Sequence, residues 1–252
     1  MKGSTEKEWN NAIESWVDFV RQGKDYYRDE LNNPATFTLL GNVKGRLVLD
    51  LACGEGYNTR ILGRKGAKVT GVDFSEEMIK LGEKEEKKQK LGIRYLLADA
   101  SDLSQLPSSH FDIVTCFMSL QDIENLEKAV SEVARVLKHG GRFVFSIPHP
   151  CFETLVVKER RISATTGYFG KVKFPIHWDM ERLVKPFRTT SFHRTLTDYS
   201  DALYRSKLHV LRLVEPRPTK KGLQKHPSLR QVLMRPQSII IECTKAHKVR
   251  KP

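Results

Sequence analysis

Short apolar segments with the composition of β-strands alternate with amphipathic helical segments along residues 46–147 of this 252-residue chain. No other feature of the sequence limits the possible folds so strongly. The predicted strands are 46–51, 67–73, 93–99, 111–117 and 141–147, and the predicted helices between them are 57–65, 75–90 and 124–138. Strands that are buried on both faces and joined by helices form parallel sheets. The pattern therefore predicts an α/β fold, with a doubly wound sheet that carries helices on both faces.

The rest of the chain is predicted to complete a single domain over residues 1–252. Its parts are an N-terminal helical segment, the alternating α/β core, an insert and a C-terminal helix with two last strands, at 1–44, 45–147, 148–195 and 196–252. The insert contains four prolines and many aromatic residues without a regular period, which predicts an irregular segment. The last two strands are predicted at 208–215 and 238–244. Because no clear helix joins them, the final strand is expected to run antiparallel.

An aspartate ends each of the first three predicted strands. Asp50 precedes a turn that contains Gly54 and Gly56, and Asp73 and Asp99 end the second and third strands. Glycines at such a turn let a ligand approach the backbone closely, and the carboxyl ends of parallel strands are where these sheets bind ligands. In doubly wound nucleotide sites, a carboxylate in the position of Asp73 accepts the ribose hydroxyls. Asp99 is expected at the level of an adenine amino group.

The turn itself distinguishes two kinds of nucleotide cofactor. A dinucleotide-binding turn has the pattern GxGxxG, but Thr59 stands in the place of the third glycine, and no GK[ST] sequence follows as in a phosphate-binding loop. Asp50 at the mouth of the turn would repel a pyrophosphate, whereas it suits a cation with a free amino group. S-adenosylmethionine (SAM) has a sulfonium, an α-amino group and no phosphate. The residues therefore favour SAM over NAD or FAD.

These segments resemble the class I SAM-dependent methyltransferases, in particular the subgroup that methylates small molecules. VLDLACGEG, GVDFSEEMI and LLADASDL are similar to the cofactor motifs of the family, and FDIVTCFMSLQDI and VARVLKHGGRFVFSIPHP to its fourth and fifth strand regions. The resemblance implies a Rossmann-like, mostly parallel seven-stranded sheet of order 3-2-1-4-5-7-6 with the last strand antiparallel. It also implies SAM as cofactor and S-adenosylhomocysteine as product. The cofactor-binding residues that it implies are Asp50, Ala52, Gly54, Gly56, Asp73, Phe74, Asp99, Ala100, Phe117, Met118, Tyr26 and Tyr27.

Two of these groups carry a reservation. Ala52 stands where many members of the family have glycine, and its single methyl group is not expected to prevent binding. Tyr26 and Tyr27, with Arg28, would belong to a lid over the cofactor, but simple helix packing explains these residues equally well.

No residue is identified as a catalytic base. Methyl transfer from SAM is an in-line displacement, so the protein must mainly align the acceptor and exclude water. The candidates for the acceptor side are His149 and Asp122, which follow the fifth and fourth strands, and Tyr168, His177, Trp178 and His193 in the insert. Each of them also has a structural interpretation, as a turn histidine, a loop carboxylate or a core aromatic residue.

Positive charge is concentrated in the last two-fifths of the chain. Residues 1–150 contain 21 Lys and Arg against 22 Asp and Glu, whereas residues 151–252 contain 22 against 8. The basic segment 216–221 follows a predicted parallel strand and should therefore emerge at the ligand-binding edge of the sheet. The excess is either a solvated surface or a site for an anionic partner, such as an acidic small molecule or a nucleic acid.

Several classes of protein are disfavoured by what the sequence lacks. The four cysteines, Cys53, Cys116, Cys151 and Cys243, form no pattern with one another or with histidines, which argues against a metal site or a disulfide framework. No apolar run approaches the roughly 18 residues that span a membrane. The N-terminus is polar, so a cytoplasmic protein without a membrane partner is expected. The sequence leaves the oligomeric state open.

Two alternatives to a small-molecule methyltransferase remain at this point. A tRNA or rRNA methyltransferase would use the basic C-terminal part, although FMSL stands where many nucleic-acid methylases have [DN]PP[YF], and no RNA-binding module is recognisable. A SAM-binding regulator without catalysis would account for the missing base.

Overall fold

A central seven-stranded sheet organises the molecule, seen in a computed structural model that describes residues 4–152, 154–157, 160–163, 168–169, 172–180 and 182–246. Its strands are β1 (Leu47–Leu51), β2 (Lys68–Asp73), β3 (Arg94–Leu97), β4 (Phe111–Phe117), β5 (Leu137–Pro148), β10 (Leu208–Val214) and β11 (Ser238–Lys245). They lie in the order β3-β2-β1-β4-β5-β11-β10. Since β10 and β11 are the sixth and seventh strands of this sheet, the predicted order is confirmed.

The strand directions create one edge at which most carboxyl ends meet. Strands β1 to β5 pair in parallel. Strand β11 is antiparallel to both of its neighbours, β5 and β10. Strand β10 therefore runs in the common direction and also ends at this edge, which we call the carboxyl edge. The strand order reverses between β1 and β4, and such switch points are where open α/β sheets hold their ligands.

Helices cover both faces of the sheet, as the alternation predicts. They are α3 (Tyr57–Arg64), α4 (Glu76–Gln89), α5 (Leu126–Val136) and α6 (Leu196–Arg205). Ser75 caps α4 by accepting a hydrogen bond from the Met78 amide, and Thr195 and Asp198 form a capping box at α6. Leu49, Val114 and Phe143 are fully buried within the sheet. No helix in the described part of the chain is both long and apolar enough to cross a membrane.

The N-terminal segment contains α1 (Ser4–Arg21), a π-helical turn (Arg28–Asn32) and α2 (Asn33–Leu40). Pro34, in the first turn of α2, has no amide hydrogen, so it cannot make the usual bond to the carbonyl four residues earlier. The amide of Asn33 instead donates to the Arg28 carbonyl, five residues back. The proline thus accounts for a wide turn that places two buried amides, Asn32 and Asn33, beside the carboxyl edge.

The expectation of an irregular insert is wrong for the residues that the structure describes. They form two antiparallel hairpins, β6 (Thr154–Val157) with β7 (Arg160–Ser163) and β8 (Val172–Trp178) with β9 (Phe187–His193). Pro175 lies within β8 opposite Thr190. A two-stranded ribbon tolerates proline because each strand keeps an unpaired side. Residues 153, 158–159, 164–167, 170–171 and 181 of the predicted insert lie outside the described residues.

The connection between β10 and β11 also differs from the prediction of a loop without helix. It contains α7 (Lys220–Lys225) and a 3₁₀ segment (Pro227–Leu233). Thr219 caps α7 by accepting a hydrogen bond from the Gly222 amide at 2.9 Å. These helical turns are too short for a crossover to a parallel strand, and the antiparallel direction of β11 is as expected.

Candidate functional site

The turn after β1 approaches the carboxyl edge in a conformation that most residues avoid. Ala52, Gly54 and Gly56 all have positive φ, at 54°, 56° and 84°. At Gly56 a Cβ atom would also overlap the Tyr95 hydroxyl, so this position has no room for any side chain. At Gly54 nothing lies within 4 Å of an added Cβ. The backbone of Gly54 is therefore open, while Gly56 packs the turn against β3.

Asp50 lies beneath this turn and is almost completely buried. Its Oδ2 accepts a hydrogen bond from the Thr59 hydroxyl at 2.7 Å, and its Oδ1 accepts one from the Thr115 hydroxyl at 2.9 Å. Burial raises the pKa of the Asp50 carboxyl to about 6, against the lowering effect of these two bonds. The site thus maintains a carboxylate in surroundings that would favour its neutral form, and a bound cation would relieve this cost.

Asp73, at the end of β2, connects the glycine turn to the start of α4. Its Oδ2 accepts the Gly54 amide at 2.8 Å, and its Oδ1 accepts the Ser75 amide at 2.9 Å. Burial raises the pKa of this carboxyl to about 6 as well, despite the backbone donors. Each carboxylate oxygen can accept more than one hydrogen bond. Asp73 can therefore hold the turn and still receive a ligand hydroxyl.

Strand β3 brings the third aspartate to the same edge. The Ala98 amide donates to the Asp73 carbonyl at 3.0 Å, which places Asp99 and Ala100 next to the end of β2. Asp99 Oδ1 accepts both the amide and the hydroxyl of Ser101 at 2.7 Å. Phe74 is half-buried, directly after Asp73. This part of the edge combines an aromatic ring with a carboxylate and a buried backbone amide, as a nucleoside base requires.

On the other side of the switch point, β4 ends in Phe117, and Met118 follows it directly. The Phe117 ring packs on Phe37 of α2, with the ring centres 5.6 Å apart. Met118 has φ of 49°, and its amide donates to both the carbonyl and the hydroxyl of Ser146 at 3.0 Å. A non-glycine residue held in the left-handed region costs free energy and is typical of functional sites.

The two predicted lid tyrosines lie against the C-terminal connection. The Tyr26 ring stacks on His226 at 4.6 Å and contacts the Tyr27 ring at 4.7 Å. The Tyr26 hydroxyl accepts a hydrogen bond from Ser228 at 3.2 Å, and the Tyr27 hydroxyl accepts one from Gln231. Leu31, Leu229 and Val232 form a small apolar cluster beneath them. These contacts fix the basic connection beside the N-terminal segment at the carboxyl edge.

Arg28, which was predicted only as part of the lid, lies beside the glycine turn. Its guanidinium lies 3.9 Å above the ring of Tyr57, the residue after Gly56. Its Nε donates to Asp29 and its Nη2 to the Val20 carbonyl. The remaining nitrogen, Nη1, is buried and has no hydrogen-bond partner within the described residues. A buried guanidinium donor beside the glycine turn is suited to bind a carboxylate.

Glu55, which lies between the two glycines of the turn, was not among the predicted residues. It is 2% exposed and forms ion pairs with Arg60 at 2.8 Å and with Arg21 of α1 at 2.7 Å. Ser75 also donates to Asn10 of α1 at 2.6 Å. The glycine turn and the start of α4 are therefore both fastened to the first helix. The available signal was an acid inside a glycine turn with an arginine five positions later.

The geometry of His149 argues against a role as a base. Its Nδ1 accepts the Cys151 amide at 3.3 Å, and its Nε2 lies 3.2 Å from Glu215. Nε2 therefore carries the proton and donates it to the carboxylate, so both ring nitrogens are engaged. Burial lowers the pKa of His149, and the Glu215 carboxylate opposes this shift. The neutral ring fastens the end of β5 to the end of β10.

The other acceptor-side candidates are spread over the carboxyl edge and the insert. Asp122 lies in a 3₁₀ turn after β4 and accepts a hydrogen bond from Gln121 at 3.2 Å. His177 is exposed. Trp178 donates to Thr189 and packs between Trp16 and Phe187, so it joins the β8–β9 hairpin to α1.

Tyr168 and His193 form a separate contact. The Tyr168 hydroxyl accepts the Leu196 amide at 3.1 Å, and burial raises the pKa of this phenol. The buried His193 places its Nε2 3.1 Å from the Tyr168 carbonyl. The described residues contain no group of three or more His, Cys, Asp or Glu side chains that could hold a metal ion.

A methyltransferase-domain family model matches residues 49–145, the part of the chain that carries the glycine turn and the three aspartates. Demethylmenaquinone methyltransferase of Leptospira interrogans is 42% identical over 53% of this chain and 53% of its own length. Ubiquinone biosynthesis O-methyltransferase of Coxiella burnetii is 36% identical over 41% of this chain and 44% of its own length. The chain thus spans about half the length of these two relatives.

Similarity to one solved structure extends over most of the chain. The SAM-dependent methyltransferase of Mesorhizobium loti superposes with a TM-score of 0.68 at 27% identity, over 84% of this chain and 96% of the other. The likeness therefore includes the N- and C-terminal parts that lie beyond the family model.

Proposed function

Because this chain belongs to the class I SAM-dependent methyltransferases, we propose that it transfers the methyl group of SAM to a small-molecule acceptor that carries an acidic group. One observation supports SAM as the methyl donor most directly. Two buried carboxylates, Asp50 and Asp73, have pKa values raised to about 6 at the switch point of the sheet. A cationic, hydroxylated ligand is what this pair would bind most favourably.

The donor groups at the carboxyl edge match the chemistry of SAM. Asp50 and the carbonyls of the turn suit the α-amino group, and Asp73 suits the ribose hydroxyls. The unpartnered Nη1 of Arg28 suits the carboxylate of the methionine part. Phe74, Asp99 and Ala100 suit the adenine, with Phe117 and Met118 on its other side. The bound sulfonium would supply an activated methyl carbon, and the chain's own residues would orient the acceptor and exclude water.

Two features support a small acceptor. Helix α1 and the β8–β9 hairpin pack together through Trp16, Trp178 and Phe187, and the Ser15 hydroxyl bonds to the Lys185 backbone. This arrangement favours an enclosed acceptor site. The relatives named above are a demethylmenaquinone methyltransferase and a ubiquinone biosynthesis O-methyltransferase, and both names refer to small molecules. Because His149 is neutral with both nitrogens engaged, we assign it to positioning the two strand ends and not to proton removal.

An acidic group on the acceptor is inferred from the charge at the carboxyl edge. Arg217, Lys220 and Lys221 are exposed on the connection that packs against Tyr26 and Leu31. The same charge would serve an RNA methyltransferase, so assays should offer both kinds of acceptor. We propose to incubate the protein with methyl-labelled SAM and either a panel of phenolic acids or total transfer RNA. Labelled phenolic acid would support the proposal, whereas label in RNA alone would replace it with the second candidate.

Cofactor identity is tested first. Calorimetric titration is expected to show binding of SAM and S-adenosylhomocysteine and no heat from NAD, because Asp50 repels a pyrophosphate. Binding should weaken as the pH falls below about 6, since protonation removes the negative charge of Asp50 that would hold the amino group and that of Asp73 that would accept the ribose hydroxyls. Tight NAD binding without a response to SAM would overturn the proposal. If the protein binds SAM but methylates neither kind of acceptor, the result would favour the alternative of a SAM-binding regulator without catalysis.

Replacing Arg217, Lys220 and Lys221 together with glutamine is expected to raise the KM for a phenolic acid several-fold, and to leave SAM affinity unchanged. Exposed charges are screened beyond roughly 8 Å at physiological ionic strength, so the wild-type KM should also rise with salt. A matched control replaces Lys84, Lys87 and Lys88, which lie on α4, in the same way. An unchanged KM in the first variant and no salt effect would mean that the basic connection is only a solvated surface.

A further inference from the structure

The edge strand β10 exposes apolar side chains on both of its faces. Five consecutive residues, 209–213, are exposed. Val210, Leu211 and Leu213 are 46%, 53% and 60% exposed. Among the described residues, no strand pairs with the outer side of β10. An edge strand with unpaired backbone groups and apolar side chains is a template for pairing with another strand.

The opposite edge of the same sheet provides a comparison. Strand β3 has four residues, of which Tyr95 is buried, and Leu97 is its exposed apolar residue. Protein edge strands are commonly short and are protected in this way. Strand β10 is longer, with seven residues, and is less covered. Of the two sheet edges in the described residues, β10 is therefore the better suited to pair with another strand.

We infer that β10 pairs antiparallel with β10 of a second copy of this chain, so that two seven-stranded sheets become one continuous sheet. A two-fold axis perpendicular to the sheet would pass through Leu211. Leu211 would then face its own counterpart, and Val210 would face Arg212 of the other copy. Lys207, exposed just before β10, would face Glu215, exposed just after it. This pairing is independent of the proposed function.

Charge selects this register. In an antiparallel pair, two residues that face each other point to the same side of the sheet. Under two-fold symmetry, one residue must therefore face its own counterpart, and the possible registers differ in which residue this is. A centre at Arg212 would set two arginines against each other, and like charges directly opposite are destabilising. A centre at Val210 would place Lys207 opposite Leu213. Of these three centres, only Leu211 places Lys207 of one copy opposite Glu215 of the other, which forms an ion pair at both ends of the paired strands.

The irregularity of β10 is compatible with specific pairing. Its register with β11 shifts between Val210 and Arg212. A bulge and an arginine on an edge discourage indiscriminate aggregation. They hinder a partner that requires a flat, regular edge, whereas a second copy has the same bulge and the same charges at the same positions. The formal net charge of +13 opposes association at long range, which makes the Lys207–Glu215 attraction more important for the fit.

Sedimentation analysis of the full chain tests the inference. The wild type is expected to form a dimer of two 29.0 kDa chains at micromolar concentrations in 0.15 M salt, roughly the range for a small interface. Leu211→Lys would bring two like charges together and is expected to raise the dissociation constant about tenfold or more. Leu97→Lys, an equally exposed change on β3, should leave the dimer intact.

A charge exchange tests the register itself. Lys207→Glu is expected to weaken the dimer several-fold, and Lys207→Glu combined with Glu215→Lys should restore it. All these positions are exposed, but Glu215 also accepts a hydrogen bond from His149, so circular dichroism and thermal unfolding would verify that each variant, and the double variant above all, keeps the wild-type fold. A wild type that stays monomeric to about 100 µM would overturn the inference, since a standard interface would be populated there. A dimer that survives Leu211→Lys would also overturn it.

Discussion

Asp50→Asn is expected to make the cofactor-free protein more stable above pH 6 while it weakens SAM binding. The Asp50 carboxyl has a pKa of about 6 instead of 3.8 because it is buried, so its ionised form is disfavoured in the folded state. The stability that its neutral form provides is complete below pH 3.8 and is lost as the pH rises through 6. At neutral pH this loss of folding stability is on the order of 3 kcal/mol. Asparagine carries no charge at any of these pH values, so the variant does not suffer this loss.

Asparagine can take the place of this carboxylate because both of its partners are hydroxyls. The Thr59 and Thr115 hydroxyls can accept as well as donate, and Thr115 also lies 3.4 Å from the Leu49 carbonyl, to which it can donate. The cofactor's amino group would lose a charged acceptor, at a cost of about 1.5–3 kcal/mol, or roughly tenfold to 150-fold in affinity.

The measurements are urea unfolding of the apo protein at pH 5 and pH 7.5, and calorimetric titration with SAM. The gain in stability should be largest at pH 7.5 and about half as large at pH 5, which lies between the two pKa values. Asp73→Asn is the matched control, because Asp73 accepts two backbone amides and the asparagine NH₂ group would oppose one of them. That variant should lose both stability and affinity. If Asp50→Asn destabilises the apo protein at pH 7.5, burial is not what sets the pKa of Asp50.

Gly56→Ala is expected to destabilise the protein by about 3 kcal/mol or more and to abolish measurable SAM binding. Gly56 has φ of 84°, and a non-glycine residue in a left-handed conformation costs about 1–2 kcal/mol. An added Cβ would in addition overlap the Tyr95 ring and hydroxyl. Overpacking of this kind typically costs about 1–3 kcal/mol and forces the backbone to move. The turn that we propose as the cofactor-binding turn would therefore be displaced.

Gly54→Ala separates the two contributions. Gly54 has a similar φ of 56°, but nothing lies within 4 Å of an added Cβ. Its substitution should show the conformational cost alone, so the free energies of unfolding of the two variants should differ by the cost of the Tyr95 clash. Equal values for the two variants would show that Tyr95 yields freely and that the turn is not fixed by this contact.

The parallel core and its three aspartates could be predicted because their causes are local in sequence. Strand and helix periods, the Ser75 cap and the glycine turn each depend on residues within a few positions of one another. Asp50, Asp73 and Asp99 then meet because parallel strands share an edge. The antiparallel direction of β11 followed from the connection before it, even though that connection contains a short helix.

What the sequence did not reveal depends on contacts between distant segments. Arg21 reaches Glu55, and Arg28 stacks on Tyr57, across separations that no period predicts. The hairpin of β8 and β9 was hidden by Pro175, which disfavours a central strand but not a two-stranded ribbon. His149 looked catalytic from its position, and its engagement by Cys151 and Glu215 emerges only in three dimensions.

The ion pair between Arg21 and Glu55 makes the first helix a participant in the cofactor equilibrium. Glu55 moves with the glycine turn, and Arg21 moves with α1. A ligand that stabilises the turn therefore also stabilises the docked position of α1. The coupling free energy is the same in both directions, because thermodynamic coupling is reciprocal. Residues of α1 would thus contribute to the dissociation constant of any ligand that the turn holds, and the order of the N-terminus would report on the occupancy of the proposed cofactor site.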